Sequence, residues 1–563
     1  MIFGISRAFH KPWKPPEDHK AQRRYQKRRT NMTDLQELSD SSHDTRRAGM
    51  AVFPMAVIEL GTSAIRMAIG ETDGVSGVRL LEELVRGVSL GKDTFTRREI
   101  KRETLMQCVA VLKSYRRKLE EYQCTNPKHI RVVATSAVRE ASNRIAFLDR
   151  IYTSTGFVVE PIDDAEIARV TYLGIRPVLE REPELRDAMT LMMEVGGGNT
   201  EVLLLRGRNI MHSQSYRLGS LRLQQLLKQY NATRDQAVHI MNGQIDRALE
   251  NLSDVVPQHG QIELLALGGD VRFAAKVLQL DLADAAVVRV SLPKLQKLTR
   301  ELSELTIEQI MRKHHLELSQ AETLVPALLA NVRMARMLNT DHLLVTGFNL
   351  RDALLQGMLQ PSDWSEDFRD QIIRSAEELG RKFQLDLDHA QHCADLSRQI
   401  FRALRSEHQM DIRCETILYV GALLHEAGLF VNTPGYHKHS FYLITNSEIF
   451  GLNSLDHALV ALVARYHRRA PPKPTHEGFA QLDRDSRVIL SRLAAILRIA
   501  IALSHSRSQR IRNMDCVLEK NKLIIKAKGR TGDLSMEQLE LRQNSGMFQD
   551  VFGLGVLLRE NPA

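Results

Sequence analysis

Cysteine is scarce and scattered in this chain of 563 residues. Cys108, Cys124, Cys393, Cys414 and Cys516 include no Cys-x-x-Cys pair. That spacing argues against a zinc ribbon or a disulfide framework and fits a reducing cytoplasm. Long hydrophobic runs are missing too. The longest, Leu493 to Leu503, is interrupted by Arg498 and is too short to span a bilayer. The N-terminus has no apolar segment followed by a small-residue cleavage site, so no secretory signal is read there. Nor does charge of one sign dominate. Lys and Arg exceed Asp and Glu by nine, and residues 1–50 hold eleven basic and six acidic side chains, hence five of the nine. The rest is not a strongly basic body, and no specific nucleic-acid site and no membrane contact are expected.

What is present is ordinary for a globular protein: 43% hydrophobic and 26% charged residues, over a length that implies two to four domains. Residues 1–52 show no periodicity and read as a disordered basic leader or, with Met50 and Met55 just before the first strand, as a start-site artefact. From Met55 short apolar strands alternate with helical segments, which indicates an α/β architecture. Two strand–turn–strand units stand out. AVIEL and IRMAIGE flank the turn at Gly61, Thr62 and Ser63; LMMEV and EVLLL flank the turn at Gly196, Gly197, Gly198 and Asn199, followed by Thr200. This repetition suggests two similar halves facing a cleft. After Pro361 the periodicity becomes helical to about Ser506, and CVLE/KLIIKA then reads as a hairpin.

Glycine turns of this kind let backbone N–H groups point into one concavity, which suits phosphate oxygens. Gly61, Thr62, Ser63, Gly197, Gly198, Asn199 and Thr200 are the candidate phosphate ligands. Glu59, Glu194 and Glu201 flank the turns and offer hard oxygen ligands for Mg²⁺.

Taken together, AVIELGTS, MEVGGGNTE, VVATSAVREASN, SYRLGSLRL, LALGGDVRFAA and LVTGFNLRDALL resemble segments of the exopolyphosphatase / guanosine pentaphosphate phosphatase family. GALLHEAGLFVNTPGYHKHSFYLITNSEIFGLN and LVARYHRRAPP resemble its HD-type helical domain. The resemblance covers roughly residues 55–510, in the family's order. It implies an actin-like, two-lobed module, with lobes at residues 53–175 and 176–361. An all-α HD-type domain at 362–510 and a small α/β element at 511–563 follow. The implied activity is Mg²⁺-assisted attack of water on terminal phosphoanhydride bonds of polyphosphate or guanosine pentaphosphate. Arg139 would offset developing charge and Glu201 would hold metal. The family is often dimeric, so a homodimer stays open.

The sequence also departs from the family. Glu59 and Glu194 replace aspartates. Ile167 stands where the family carries the Glu that activates water, leaving Glu166 or Asp164 to take that role, or hydrolysis impaired. A catalytically weak polyphosphate- or alarmone-binding protein is therefore the alternative, and a kinase on the same fold a third reading. In the helical domain His425-Glu426 replaces His-Asp, and Ile501 stands at the distal acid position, so with His389 the ligand set is incomplete and no tight divalent metal is expected. His437, Lys438, His439, Arg465, His467, Arg468 and Arg469 form a cationic collection along which a string of phosphates would lie.

Overall fold

Short apolar runs bounded by turns yield fourteen strands among the described residues, and the central ones, such as Ile262–Leu267 and His342–Thr346, are buried along their whole length. A computed structural model describes residues 52–560, apart from 73–76, 254–255, 258–259, 283–284, 360–363, 469 and 529–531. The chain divides into two units, residues 1–50 and 51–563. The basic leader thus lies almost wholly outside the described residues.

The first sheet has the order β3-β2-β1-β4-β5, built from β1 (Pro54–Leu60), β2 (Ala64–Thr72), β3 (Val78–Gly87), β4 (Ile130–Ala134) and β5 (Val159–Pro161). The second contains β6 (Met189–Val195), β7 (Thr200–Arg206), β8 (Asn209–Tyr216), β9 (Ile262–Leu267), β10 (Val287–Ser291) and β11 (His342–Thr346), in the order β10-β11-β9-β6-β7-β8. The two sheets repeat one plan. In each, two antiparallel hairpin steps lead into the first strand, and two parallel neighbours follow. The strand β10 is an added edge on the second sheet. The two halves read from sequence are therefore a duplicated topology, and each places its glycine turn between its first two strands.

Two helices join the halves across the divisions drawn from sequence. Helix Asp164–Arg181 runs unbroken through the 175/176 division. Helix Leu350–Gly357 follows the second sheet in the chain, yet packs Leu350, Ala353, Leu354 and Leu355 against Met55, Val57, Ala68 and Val133 of the first. Helical periodicity reveals such a helix but not which sheet receives its apolar face. Ile167 belongs to that same apolar cluster, at about 1.5–3 kcal/mol per fully buried aliphatic side chain.

From Glu366 to Leu503 the chain is helical. A last sheet of β12 (Met514–Glu519), β13 (Lys522–Ala527) and β14 (Gly555–Glu560) follows, with the expected hairpin pairing antiparallel and β14 added parallel to β13. One apolar core runs from the second sheet (Met192, Leu203, Leu265, Leu344) through helix Asp164–Arg181 into the helical region and this last sheet.

Candidate active site

The hairpin turns bring the two glycine loops into contact. Gly61 N–H bonds the Ala64 carbonyl at 3.0 Å, and Gly196 N–H bonds the Asn199 carbonyl at 2.9 Å, closing four-residue turns. A Cβ on Gly197 would lie 2.0 Å from Thr62 Oγ1, and one on Gly198 would lie 2.3 Å from Ser136 Oγ. Only glycine permits this approach. Among the described residues, the N–H groups of Thr62, Ser63, Gly197 and Gly198 donate to no protein acceptor. They remain able to bind anion oxygens.

Register sets the electrostatics. In the first half Glu59 pairs across the ladder with Arg66; in the second, Glu194 pairs across the ladder with Glu201. Directly opposed side chains have Cβ atoms about 4.5–5.5 Å apart, and like charges there repel. Glu59 is neutralised twice. Arg351 Nη1 lies 2.9 Å from its Oε2, and Arg66 Nη1 3.6 Å from its Oε1. Burial pushes the Glu59 carboxyl up, but Arg66 and Arg351 together outweigh it and hold it below the ordinary value. Glu194 is raised by burial and by the charge of Glu59, with Arg272, Arg351 and Arg66 offsetting in part. Glu201 is raised further, first by burial and then by Asp164. Asp270 sits in the first turn of helix Gly269–Val277, after its cap at Gly268, and burial pushes it up to about 6.

A hydrogen-bonded chain crosses between the halves. Asn199 Nδ2 donates to Asp164 Oδ1 at 3.2 Å and to Ser215 Oγ at 3.3 Å, and Ser215 Oγ–H donates to Glu201 Oε1 at 2.8 Å. Arg139 also pairs with Asp164 and bonds the Ile162 carbonyl at 2.7 Å. Asn199 Oδ1 is buried without a partner. The Thr200 hydroxyl is committed to the Leu218 carbonyl, so it is not the phosphate donor read from sequence.

Other expected site residues fall elsewhere. Glu166 is held by Arg169 in two bonds of 2.7 Å, with Arg131 at 3.4 Å, and is not joined to the loops. Glu59, Glu194 and Glu201 do not converge as a ligand set: among the described residues, the only three acidic, His or Cys groups with ligand atoms within 4.8 Å of one another are His389, Cys393 and His425. In the cationic collection, Arg465 stacks over Phe441 and Arg468 over Tyr436, His467 is buried, and Arg469 lies outside the described residues.

Sequence reading missed Arg66, Arg272 and Arg351, which gather at the carboxylates, and it missed Glu448. That residue comes from the turn between helices Tyr436–Thr445 and Ser454–Tyr466. The turn is pinned to the first turn of helix Asp164–Arg181. Ser454 N–H and Oγ–H each bond Asp163 Oδ2 at 2.7 Å, and Phe450 meets the edge of Tyr172 with ring centres 5.6 Å apart. Glu448 is thereby brought near Asp164. Desolvation and the Asp164 charge push its carboxyl up to about 7.

Ile167 packs within its apolar cluster, so Glu at this position would place a carboxylate among aliphatic side chains. Ile167→Glu should therefore lose about 2–4 kcal/mol of stability without gaining turnover. Thermal unfolding of the variant beside phosphate release checks this, and a faster, equally stable variant would contradict it.

Residues 68–361 match the Ppx/GppA phosphatase family and residues 372–545 match domain III of Ppx/GppA phosphatase. The chain is similar to a guanosine-5'-triphosphate,3'-diphosphate pyrophosphatase of Aliivibrio fischeri, with 24% identity over 476 residues, 83% of this chain and 90% of the relative. The protein of the same description from Photobacterium profundum is 22% identical over 453 residues, 80% of this chain and 87% of that one. Among solved structures, an exopolyphosphatase from Cytophaga hutchinsonii aligns with a TM-score of 0.49 at 24% identity, over 55% of this chain and 98% of its own.

Proposed function

The chain belongs to the Ppx/GppA phosphatase family, and on that premise we propose that its cleft hydrolyses terminal phosphoanhydride bonds of inorganic polyphosphate, of guanosine pentaphosphate, or of both. The observation that carries this reading is the Glu194–Glu201 pair. Two like charges opposed on neighbouring strands beside an anion-binding loop are costly unless a cation and a phosphate occupy the site together.

The donor set fits a hard divalent cation such as Mg²⁺ only in part. Glu194 and Glu201 would hold it, because both are raised by burial and neighbouring acids and would gain from a positive charge. Glu59 is already paired with Arg66 and Arg351. Such a cation, when bound, supplies charge neutralisation on the phosphoryl oxygens.

The remaining work falls to the chain itself. Thr62, Ser63, Gly197 and Gly198 present N–H groups to phosphate oxygens, and Arg66, Arg272 and Arg351 add positive charge. Arg139, already braced on Asp164, lies at the junction of the halves. Glu448 accepts a proton from water as the water oxygen bonds the terminal phosphorus and the bridging oxygen leaves with its electron pair. With a carboxyl near 7 and access to solvent, Glu448 suits this role better than Glu166, whose oxygens are occupied by arginines. In this reading the helical domain is HD-type. His389 and His425, with rings 6.3 Å apart, support it, and Ser504 rather than Ile501 faces His389. A cytoplasmic setting accords with five unpaired cysteines.

The contact of Gly197 with Thr62 favours a second reading, capture of the same ligands without turnover, since the loops must part to admit a phosphate. Phosphate release from both substrates, with and without Mg²⁺, decides. Release that needs Mg²⁺ is expected, whereas binding without release supports the second reading.

A further inference from the structure

Far from the glycine loops, the helical region carries a cluster of donors that the hydrolytic reading leaves unused. Helix Leu387–Ala403 places His389 and Cys393 one turn apart on its buried face. His425 reaches them from just beyond the end of helix Ile412–Leu423. One ligand atom from each of the three lies within 4.8 Å of the other two. We propose that His389, Cys393 and His425 form a binding site for a soft divalent cation of the zinc type.

The spacing suits the ion. Cys393 Sγ and His389 Nε2 are 3.6 Å apart. A tetrahedral zinc with Zn–S of about 2.3 Å and Zn–N of about 2.0 Å separates such a pair by about 3.5 Å. The second contacts suit it as well. His425 Nδ1 lies 2.6 Å from the Ala422 carbonyl and donates to it, so Nε2 keeps its lone pair for a metal. His389 Nδ1 faces Ser504 Oγ at 3.4 Å, which leaves Nε2 directed at Cys393. His467 and His392 are excluded as further ligands. The ring nitrogens of His467 are taken by the Ala464 carbonyl and the Tyr436 hydroxyl, and those of His392 by Ser504 and the Ile511 carbonyl.

On binding, a Zn–S bond forms, the S–H bond of Cys393 breaks, and one proton passes to solvent for each ion bound. Glu426, paired with Arg507 at 2.6 Å, borders the cluster, and a carboxylate or water on that side completes a fourth position.

Reading the sequence by hard-metal positions alone made the altered Glu426 and Ile501 decisive and passed over Cys393. A soft-ion site that includes Cys393 runs against the expectation of no tight divalent metal, which weighed only Glu426 and Ile501.

The full chain, freed of metal with a chelator, should take up about one Zn²⁺ beyond any held at the glycine loops. Co²⁺ in its place should give the near-ultraviolet thiolate-to-cobalt absorption band. Cys393→Ser should abolish that band and weaken Zn²⁺ binding at least about tenfold. Glu201→Ala, which alters only the glycine-loop site, should keep the band. If wild-type protein that remains folded by circular dichroism shows no thiolate–cobalt band, or if the band survives Cys393→Ser, the proposal is overturned. Neither readout depends on phosphate release.

Discussion

Glu448→Gln should lower kcat for phosphate release about 10²–10⁴-fold while changing KM little, because a positioned general base acts on the chemical step rather than on binding. The pH profile makes the attribution specific. The base must be ionised, so wild-type kcat should climb as pH rises through about 7, where desolvation and Asp164 set the Glu448 carboxyl, and then level off. In the Gln variant that rising limb should vanish with the rate. Glu448→Asp, which keeps the carboxylate one methylene shorter, should retain part of the rate and the limb. An unchanged kcat in Glu448→Gln would pass the role to Asp164.

Glu201→Ala should abolish measurable release, a loss of about 10²–10³-fold or more, yet leave the fold at least as stable as before. The two effects share a cause. Glu201 faces Glu194 across the ladder and lies near Asp164. Its folded-state pKa is raised above the ordinary value of 4.5. The stability linked to the protonated carboxyl is thus fully present below about pH 4.5 and is lost as pH rises through the raised folded value. Wild-type thermal stability should decline over that range, and the Ala variant should decline less. Residual turnover near wild type, or a variant that unfolds at lower temperature at neutral pH, would remove Glu201 from the site.

The hairpins, both glycine loops and the acids before them were legible because each is written in fewer than a dozen consecutive residues. Short apolar strands and a glycine turn fix a hairpin, and the hairpin fixes which residues oppose one another. What the sequence hid lies in pairings across long separations. Arg351 meets Glu59 across 292 residues, so an acid that looked like a metal ligand proves to be half of an ion pair. Glu448 reaches Asp164 only because Ser454 and Phe450 dock on another helix. Ile167 looked like a missing carboxylate; in the fold it is a packing residue. Cys393 read as an isolated cysteine, since its partners His389 and His425 come together only when two helices cross.

The apolar core that passes from the second sheet through helix Asp164–Arg181 into the helical region bears on modularity. Family boundaries fall between residues 361 and 372, as though a cut there would yield two self-sufficient pieces. The molecule is not organised that way. Ala168, Tyr172, Ile175 and Leu179 share their packing partners with Phe368, Ile372 and Phe450, so severing the chain would strip a greasy face from both fragments. The helical region is thus a co-owner of the catalytic half rather than an appendage. Substitutions deep within it should therefore loosen the packing beneath the second sheet as well.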